Sequence, residues 1–456
     1  MTPPVSGAPR QISDLTYYII AAVVGAATGF LGSIFHMLVA RAYGGARHLP
    51  DVLGLQGLPL YVVMGVLSAA LICGSIALVR NFAPEASGSG VQEIEGAMQG
   101  LRTIRWARIL PVKFLGGVMA LGAGLVGGRE GPTIHMGASI ARGLGGLFTM
   151  GTRQARALWG AGGAAGLTAA FNAPIASVIF IIEEAREAFP YTFRAYGAVI
   201  IACTFSAVVT TMMTGTVPFM NLVEQHHMPA YFMPAFMVMG ALLGVVGVVF
   251  NRAILIGLDI SHSVSLKVSP YLLPALLGLI IGPLLVIFPA ATGGGEGLAV
   301  AIANNPLPIS ILALVVLARF FMTAASYSVG APAGIFAPIL ALATALGVLL
   351  ASLLELVMPL PPGAVIAFAA AGMAGLFAST IRAPLVGVVL VVELTGVYAL
   401  AIPALLASIC SNIVASALGG RPIYEVLLER TLLLAGETLP QKDEEEPDYP
   451  ENWPGR

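Results

Sequence analysis

The chain has 456 residues, of which 57% are hydrophobic and only 10% charged, and its mean hydropathy is +0.90. A water-soluble domain needs about 25% charged residues to clothe its surface, so a soluble globular protein is excluded. The formal net charge is -1 and no dense basic tract occurs, which removes nucleic acid as a partner.

In chain order, residues 1–13 form a polar segment holding Pro3 and Pro4, with no secretory signal pattern. Apolar runs follow at Leu15 to Val39, Pro59 to Val79, Ala195 to Met213, Ala230 to Val249, Leu272 to Ile287 and Leu312 to Tyr327. Each is nearly free of charge and close to the roughly 20 residues that a spanning helix requires. After the first two runs come Arg102, Arg105, Arg108 and Lys113, with no acid between Gly96 and Gly128. The positive-inside rule places that segment in the cytoplasm, and two crossings then place the N-terminus there too. Cys73, Cys203 and Cys410 lie in apolar runs without metal-ligand spacing and read as inert core thiols. No metal or other cofactor is expected. A polar tail with an acidic run at Asp443 to Glu446 reads as a disordered end over 435–456.

Glycines and prolines cluster inside the hydrophobic body, at Gly88 to Gly90, Gly127 to Pro132, Gly293 to Gly297 and Gly330 to Pro338. Irregular backbone at membrane depth is tolerated only where it is buried in protein or lines an aqueous path. Small residues for close helix packing are the plainer explanation of scattered glycines. They do not explain four clusters that each precede a new helix.

The chain also repeats itself. AGLTAAFNAPIASVIFIIEE (Ala165 to Glu184) parallels AGLFASTIRAPLVGVVLVVEL (Ala374 to Leu394), and each has a glutamate nine residues after its Ala-Pro pair, Glu183 and Glu393. VGGREGPT (Val126 to Thr133) pairs with VGAPAGIF (Val329 to Phe336). The offsets of 210 for Pro174/Pro384 and 203 for Gly131/Gly334 agree within a loop length. Two halves, about 14–215 and 230–434, make up a membrane domain of residues 14–434. Transporters built from such repeats bind substrate near the midplane where the halves meet.

A helix that starts at the midplane aims unpaired N–H groups and the positive end of its dipole into the site. Several such ends hold a halide without the full positive charge that would trap it. Glycine allows close approach, and a neutral hydroxyl adds a donor.

Four segments carry a specific likeness: GSGVQEIEG (Gly88 to Gly96), GGREGP (Gly127 to Pro132), GAPAGIFAP (Gly330 to Pro338) and the tyrosine of GRPIYEVLLERTL (Gly420 to Leu432). In this order, and over about residues 14–434, the chain resembles the CLC chloride channel and transporter family. The resemblance implies an all-α membrane protein, an inverted-topology repeat with tilted, broken and re-entrant helices. It implies a multi-pass protein of the cell inner (plasma) membrane that exchanges chloride for protons and works as a homodimer with one pore per subunit. Ser89 would be the central anion-binding hydroxyl and Tyr424 the second. Ile335 and Phe336 would give backbone N–H groups at a helix start, with Gly88, Gly90 and Gly131 lining the anion position. Glu130 would be the gate, whose carboxylate occupies an anion position when ionised, and Glu184 the inner proton acceptor found in proton-coupled members.

Each position also has a plainer reading. Ser89 could bond its own turn, Tyr424 could belong to an interfacial belt, and Glu130 could pair with Arg129. One of Glu183 and Glu184 could cap a helix or pair with Arg186. Glu93, Glu95 and Lys113 read as a buried support network, and His135 as a satisfied helix residue. Two positions depart from the family pattern: Gln92 stands where a proline is frequent, and Ala333 where a glycine is. Serine rather than proline at 89 fits the pattern of chloride over nitrate. No paired nucleotide-sensing domains follow, so that route of regulation is not expected. A passive chloride channel on the same fold is the nearest rival, and Glu184 argues against it. A fluoride-specific exchanger fits GREGP and Ser89 less well. An intramembrane enzyme lacks support: Ser87-Gly88-Ser89-Gly90 breaks the protease spacing, and the aspartates are not clustered.

Overall fold

Helices account for nearly all regular structure in the computed structural model, which describes residues 12–186, 188–215 and 227–437. Most of the 1–13 segment and most of the expected tail, including Asp443 to Glu446, lie outside the described residues.

The first half opens with two long helices, α1 (Asp14–Leu53) and α2 (Leu58–Phe82). The Ser13 hydroxyl caps α1 by accepting from Thr16 N at 3.1 Å. A 3₁₀ turn, Pro84–Ala86, leads to the nine-residue α3 (Val91–Gln99). Then come α4 (Trp106–Gly122), α5 (Glu130–Gly145), α6 (Thr152–Phe171), α7 (Pro174–Glu184) and α8 (Phe193–Thr214). The second half runs through α9 (Met233–Lys267), α10 (Leu272–Ile287), a 3₁₀ turn Pro289–Ala291 and the nine-residue α11 (Glu296–Asn304). It continues with α12 (Ile309–Ser328), α13 (Phe336–Glu355), α14 (Ala364–Ile381), α15 (Pro384–Thr395) and α16 (Ala401–Ala417), and α17 (Ile423–Leu434) follows.

Elements α9 to α16 repeat α1 to α8 one for one. Gly88 and Gly90, at φ 61° and 89° before α3, match Gly293 and Gly295, at φ 62° and 90° before α11. That left-handed backbone is one glycine adopts freely. The two described non-glycine residues at positive φ, Asn172 (53°) and Arg382 (72°), end the matching helices α6 and α14. Repeat-equivalent helices also pack on each other across the halves, α2 on α10 and α7 on α15. All four glycine-proline clusters precede a helix, as their composition implied: α3, α5, α11 and α13 start in or just after them.

Packing follows the membrane rule that small residues let backbones approach. Gly25 and Gly29 of α1 lie on the backbone of Ala202 and Ser206 in α8, with no room for a Cβ. Gly240 and Gly244 of α9 repeat this against Ala407 and Ser411 of α16. Among the described residues, eight helical segments are long and apolar enough to cross a bilayer. Leu15, Phe30, Phe193, Met212 and Phe321 are exposed on the outside of the bundle. This is a multi-pass membrane protein. Hydrophobic runs alone miss three of the eight, α13, α14 and α16, and they take in α10, which at 16 residues is shorter than a spanning candidate.

Helices α7 and α15 brace each other with exchanged carboxylates. Glu183 accepts from Leu385 N at 3.1 Å and Val386 N at 2.8 Å, at the start of α15. Glu393 accepts from Ile175 N at 3.0 Å and Ala176 N at 2.7 Å, at the start of α7. Each helix opens on a proline, which has no N–H, so the next two amides are the donors that the helix itself cannot satisfy. Charge-assisted bonds of this kind contribute about 1.5–3 kcal/mol each where water is excluded.

Candidate functional site

The two GxxxG-like loops that precede α5 and α13 meet inside the protein. Gly128 N donates to Gly334 O at 2.8 Å and Gly334 N donates to Gly128 O at 2.7 Å, an antiparallel bridge between repeat-equivalent loops. Gly131, in the first turn of α5, lies so close to Ser89 that a Cβ there would sit 2.8 Å from Ser89 Cα. Three helix starts therefore converge, those of α3, α5 and α13. The ring of Tyr424 from α17 closes the cluster, edge-on to Phe336 with centroids 5.8 Å apart at 89°.

Ser89 and Tyr424 are both fully buried, at 0% exposure, and among the described residues neither hydroxyl has a hydrogen-bond partner of good geometry. Leaving a buried hydroxyl unsatisfied costs about 1–3 kcal/mol, so the pair marks a place built for something that accepts. The Tyr424 phenol faces the Ser89 side chain, with Tyr327, Glu184 and Glu130 nearby. The self-bonding reading of Ser89 and the interfacial reading of Tyr424 both fail on this geometry. At the start of α13, Pro338 has no N–H and Ile339 N is the first to close a bond to the loop, onto Ile335 O at 2.9 Å. The N–H groups of Ile335 and Phe336 thus stand outside the helical ladder.

Lys113 holds the Ser89 loop from behind. It is 0% exposed, and its Nζ donates to Ala86 O at 3.0 Å and Gly88 O at 2.7 Å. Ser87 Oγ donates to Gly330 O at 3.0 Å and ties the loop to the second half. The loop is therefore fixed although Gln92, which is buried, replaces a proline. Ala333 is also buried and packs on Gly127 without disturbing the Gly128–Gly334 bridge.

Glu130 is fully buried at the first position of α5, yet its carboxylate belongs to the other repeat as much as to its own. One oxygen accepts from Ala337 N at 3.3 Å, in the first turn of α13, and the carboxylate also takes its own backbone N–H. An anion at a helix N-terminus is held in the same way. The contact with α13 arises because the Gly128–Gly334 bridge brings that helix start alongside. Arg129 does not pair with Glu130. It donates to Glu296 at 3.1 Å and to Ala170 O at 2.9 and 3.3 Å.

Glu184 lies at the end of α7, half-buried, in a narrow cleft of about 30 Å³ lined by Glu95, Glu183, Arg186, Arg382 and Glu425 among others. A separate cleft of about 590 Å³ reaches Gly88, Gln92 and Tyr327 and opens past Arg102 and Arg105. The two sets of lining residues share no member. Between the Glu184 helix and the Ser89 cluster stand the rings of Phe180, Phe336 and Phe377, with centroids 5.6 and 5.3 Å from that of Phe336. Phe180 precedes Glu184 by one helical turn and lies on the same face.

Two sequence readings need amendment. His135 is not satisfied: both ring nitrogens are buried without a hydrogen bond among the described residues, because Gly90 lets the ring press against the loop backbone. Glu95 does not join Glu93 and Lys113. Glu93 pairs with Arg102 at 3.0 Å, whereas Glu95, two residues on and turned by about 200°, lines the Glu184 cleft. Tyr327 and Ala337 were missed. Tyr327 sets its phenol against the Ser89 backbone, and Ala337, one residue past Phe336, gives the N–H that Glu130 uses.

An inverted repeat that aims interior helix starts at two unsatisfied hydroxyls defines a polytopic membrane protein of the repeat-built transporter class. Residues 65–416 match the family described as voltage gated chloride channel. The H(+)/Cl(-) exchange transporter ClcA of Vibrio campbellii is 40% identical over 429 residues, covering 92% of this chain and 90% of that protein. ClcA of Salmonella typhimurium is 38% identical over 446 residues, covering 96% and 93%. The crystal structure of a slow cyanobacterial Cl-/H+ antiporter matches with a TM-score of 0.89 at 36% identity, over 95% of this chain and 100% of that one. This chain belongs to the CLC family of voltage gated chloride channels and transporters.

Proposed function

We propose that the protein is a secondary active transporter that exchanges chloride for protons across the cell inner membrane. The observation that carries the reading is the Glu130 carboxylate, buried on the N-terminus of α13 beside the unsatisfied hydroxyls of Ser89 and Tyr424. In this reading the ionised carboxylate stands in for chloride. Protonation cancels its charge, the side chain leaves, and chloride takes the N–H groups of Ile335 and Phe336 and the hydroxyls of Ser89 and Tyr424. Protons reach Glu130 from Glu184, whose cleft is separate from the one that leads to Gly88. That separation supports exchange over a passive pore, which has no use for an inner acceptor. All these groups come from one chain, which fits one pathway per subunit of a homodimer.

Purified protein in liposomes tests the reading. An outward chloride gradient should drive protons inward, and chloride flux should rise as pH falls. Chloride movement with no linked proton movement would return the passive channel.

Anion choice should depend on Ser89. Ser89→Pro removes the hydroxyl from the site, and with it a donor that a small, strongly hydrated halide needs more than nitrate does. Relative flux measured with each anion should shift toward nitrate. An unchanged chloride-to-nitrate ratio would take Ser89 out of the anion site.

A further inference from the structure

The mouth opposite Arg102 holds a carboxylate that the exchange reading does not use. Gly293-Gly294-Gly295 is the repeat image of Gly88-Ser89-Gly90, and the next residue, at the first position of α11, is Glu296. The loop is held rigidly. Arg319, 1% exposed, donates to Ala290 O at 2.7 Å, Thr292 O at 2.8 Å and Gly293 O at 2.8 Å, and the Tyr43 hydroxyl bonds Thr292 Oγ1 at 3.0 Å. Glu296 stands over a cleft of about 590 Å³ and engages Arg129 NH1 at 3.1 Å, with side-chain exposures of 27% and 8%. Arg129 is the residue before Glu130.

We infer that Glu296 is a positioning residue for the gate: it holds and neutralises Arg129, so that the guanidinium does not pin Glu130 in its ionised form. The inference rests on Glu130 acting as the gate. A cation within about 4–6 Å of a carboxylate lowers its proton affinity by about 1–3 pH units, and an anion raises it. Glu130 feels both Arg129 and Glu296, and as a bonded pair their opposed charges largely cancel at a distance. The remaining groups about the pair cannot replace Glu296. His48 pairs with Asp51 at 3.7 Å in the open mouth, Arg319 is spent on carbonyls, and His36 and Arg47 of α1, on the cleft wall, can add only positive charge. Across the gate, α17 offers only the neutral phenol of Tyr424.

The test is chloride flux against pH on the Glu296 side, in liposomes holding full-length protein. Glu296→Gln should move the midpoint to lower pH by about one unit or more, because the freed cation favours ionised, closed Glu130. Glu296→Asp should stay near wild type, and Arg129→Gln/Glu296→Gln should return most of the way, since both charges are gone. A Glu296→Gln midpoint equal to wild type, or a double variant shifted as far as the single one, overturns the inference. Should Glu296→Gln not yield folded protein, Arg129→Gln carries the test with opposite sign: its midpoint should rise, and an unmoved or lower midpoint overturns the inference. Failure of the gate reading looks different, since wild-type flux would then ignore pH altogether.

Discussion

Glu130→Ala should leave chloride flux running at every pH and strip it of proton coupling. The carboxylate is the only acid in direct contact with the α13 helix start among the described residues, accepting from Ala337 N. Remove it, and nothing titratable competes with chloride for the donors there. A single carboxylate loses its protonated fraction about tenfold per pH unit above its midpoint, so the wild-type flux should carry that slope and the variant should lose it. Glu130→Gln should behave alike if the neutral side chain swings clear. The measurement is paired chloride and proton flux in liposomes between pH 4 and 8, on the order of the ordinary carboxylate-to-neutral range. A variant that retained wild-type coupling would remove Glu130 from the gate.

Glu184→Gln should abolish proton movement while chloride still crosses, whereas Glu183→Gln should keep coupling and lose stability. The two acids are adjacent but diverge by about 100° around α7. Glu183 turns to the start of α15 and accepts two backbone N–H bonds, whereas Glu184 lines the cleft with Glu95, Arg186 and Glu425. An amide cannot carry a proton between the cleft and the interior, so loss of Glu184 ionisation breaks the relay alone. Glu183→Gln weakens a cap, at roughly 1–3 kcal/mol after allowing for its partial exposure, and should lower thermal stability in detergent with coupling retained. Glu393→Gln should do the same through α7. Full coupling in Glu184→Gln, or loss of coupling confined to Glu183→Gln, would reverse the assignment.

Much of this architecture is legible in the chain because broken helices need residues that announce themselves. Glycine and proline had to stand before α3, α5, α11 and α13, and the Ala-Pro pairs before α7 and α15 exposed the repeat. The three spans missed, α13, α14 and α16, are as apolar as those found, at mean hydropathy 2.3, 1.9 and 1.8 against 1.8 to 2.5. Helix α14 is 94% buried along its apolar window and half of its residues are alanine or glycine, so it carries few of the large side chains that mark an apolar run. Partnerships across the repeat were less accessible. Nothing local tells Glu183 from Glu184 as a cap; only the alignment with Glu393 hinted at it. Glu296 was read as part of a glycine cluster, because its partner Arg129 is 167 residues away in the chain. His135 misled for a different reason, since a histidine packed on a glycine backbone can be buried without being bonded.

The Gly128–Gly334 bridge bears on how such a molecule could cycle. Many repeat-built transporters expose their site by rocking one half against the other about a central seam. Here the seam itself is stitched at the site by two reciprocal backbone bonds, flanked by the crossed carboxylates of α7 and α15. Parting the halves would strand buried amides and carbonyls, at about 1–3 kcal/mol for each group left unpaired. Swinging the Glu130 side chain breaks only its long bond to Ala337 and the one to its own backbone N–H, and leaves the seam whole. Under the proposed gating, access falls to side chains, with the scaffold standing still while Glu130 turns.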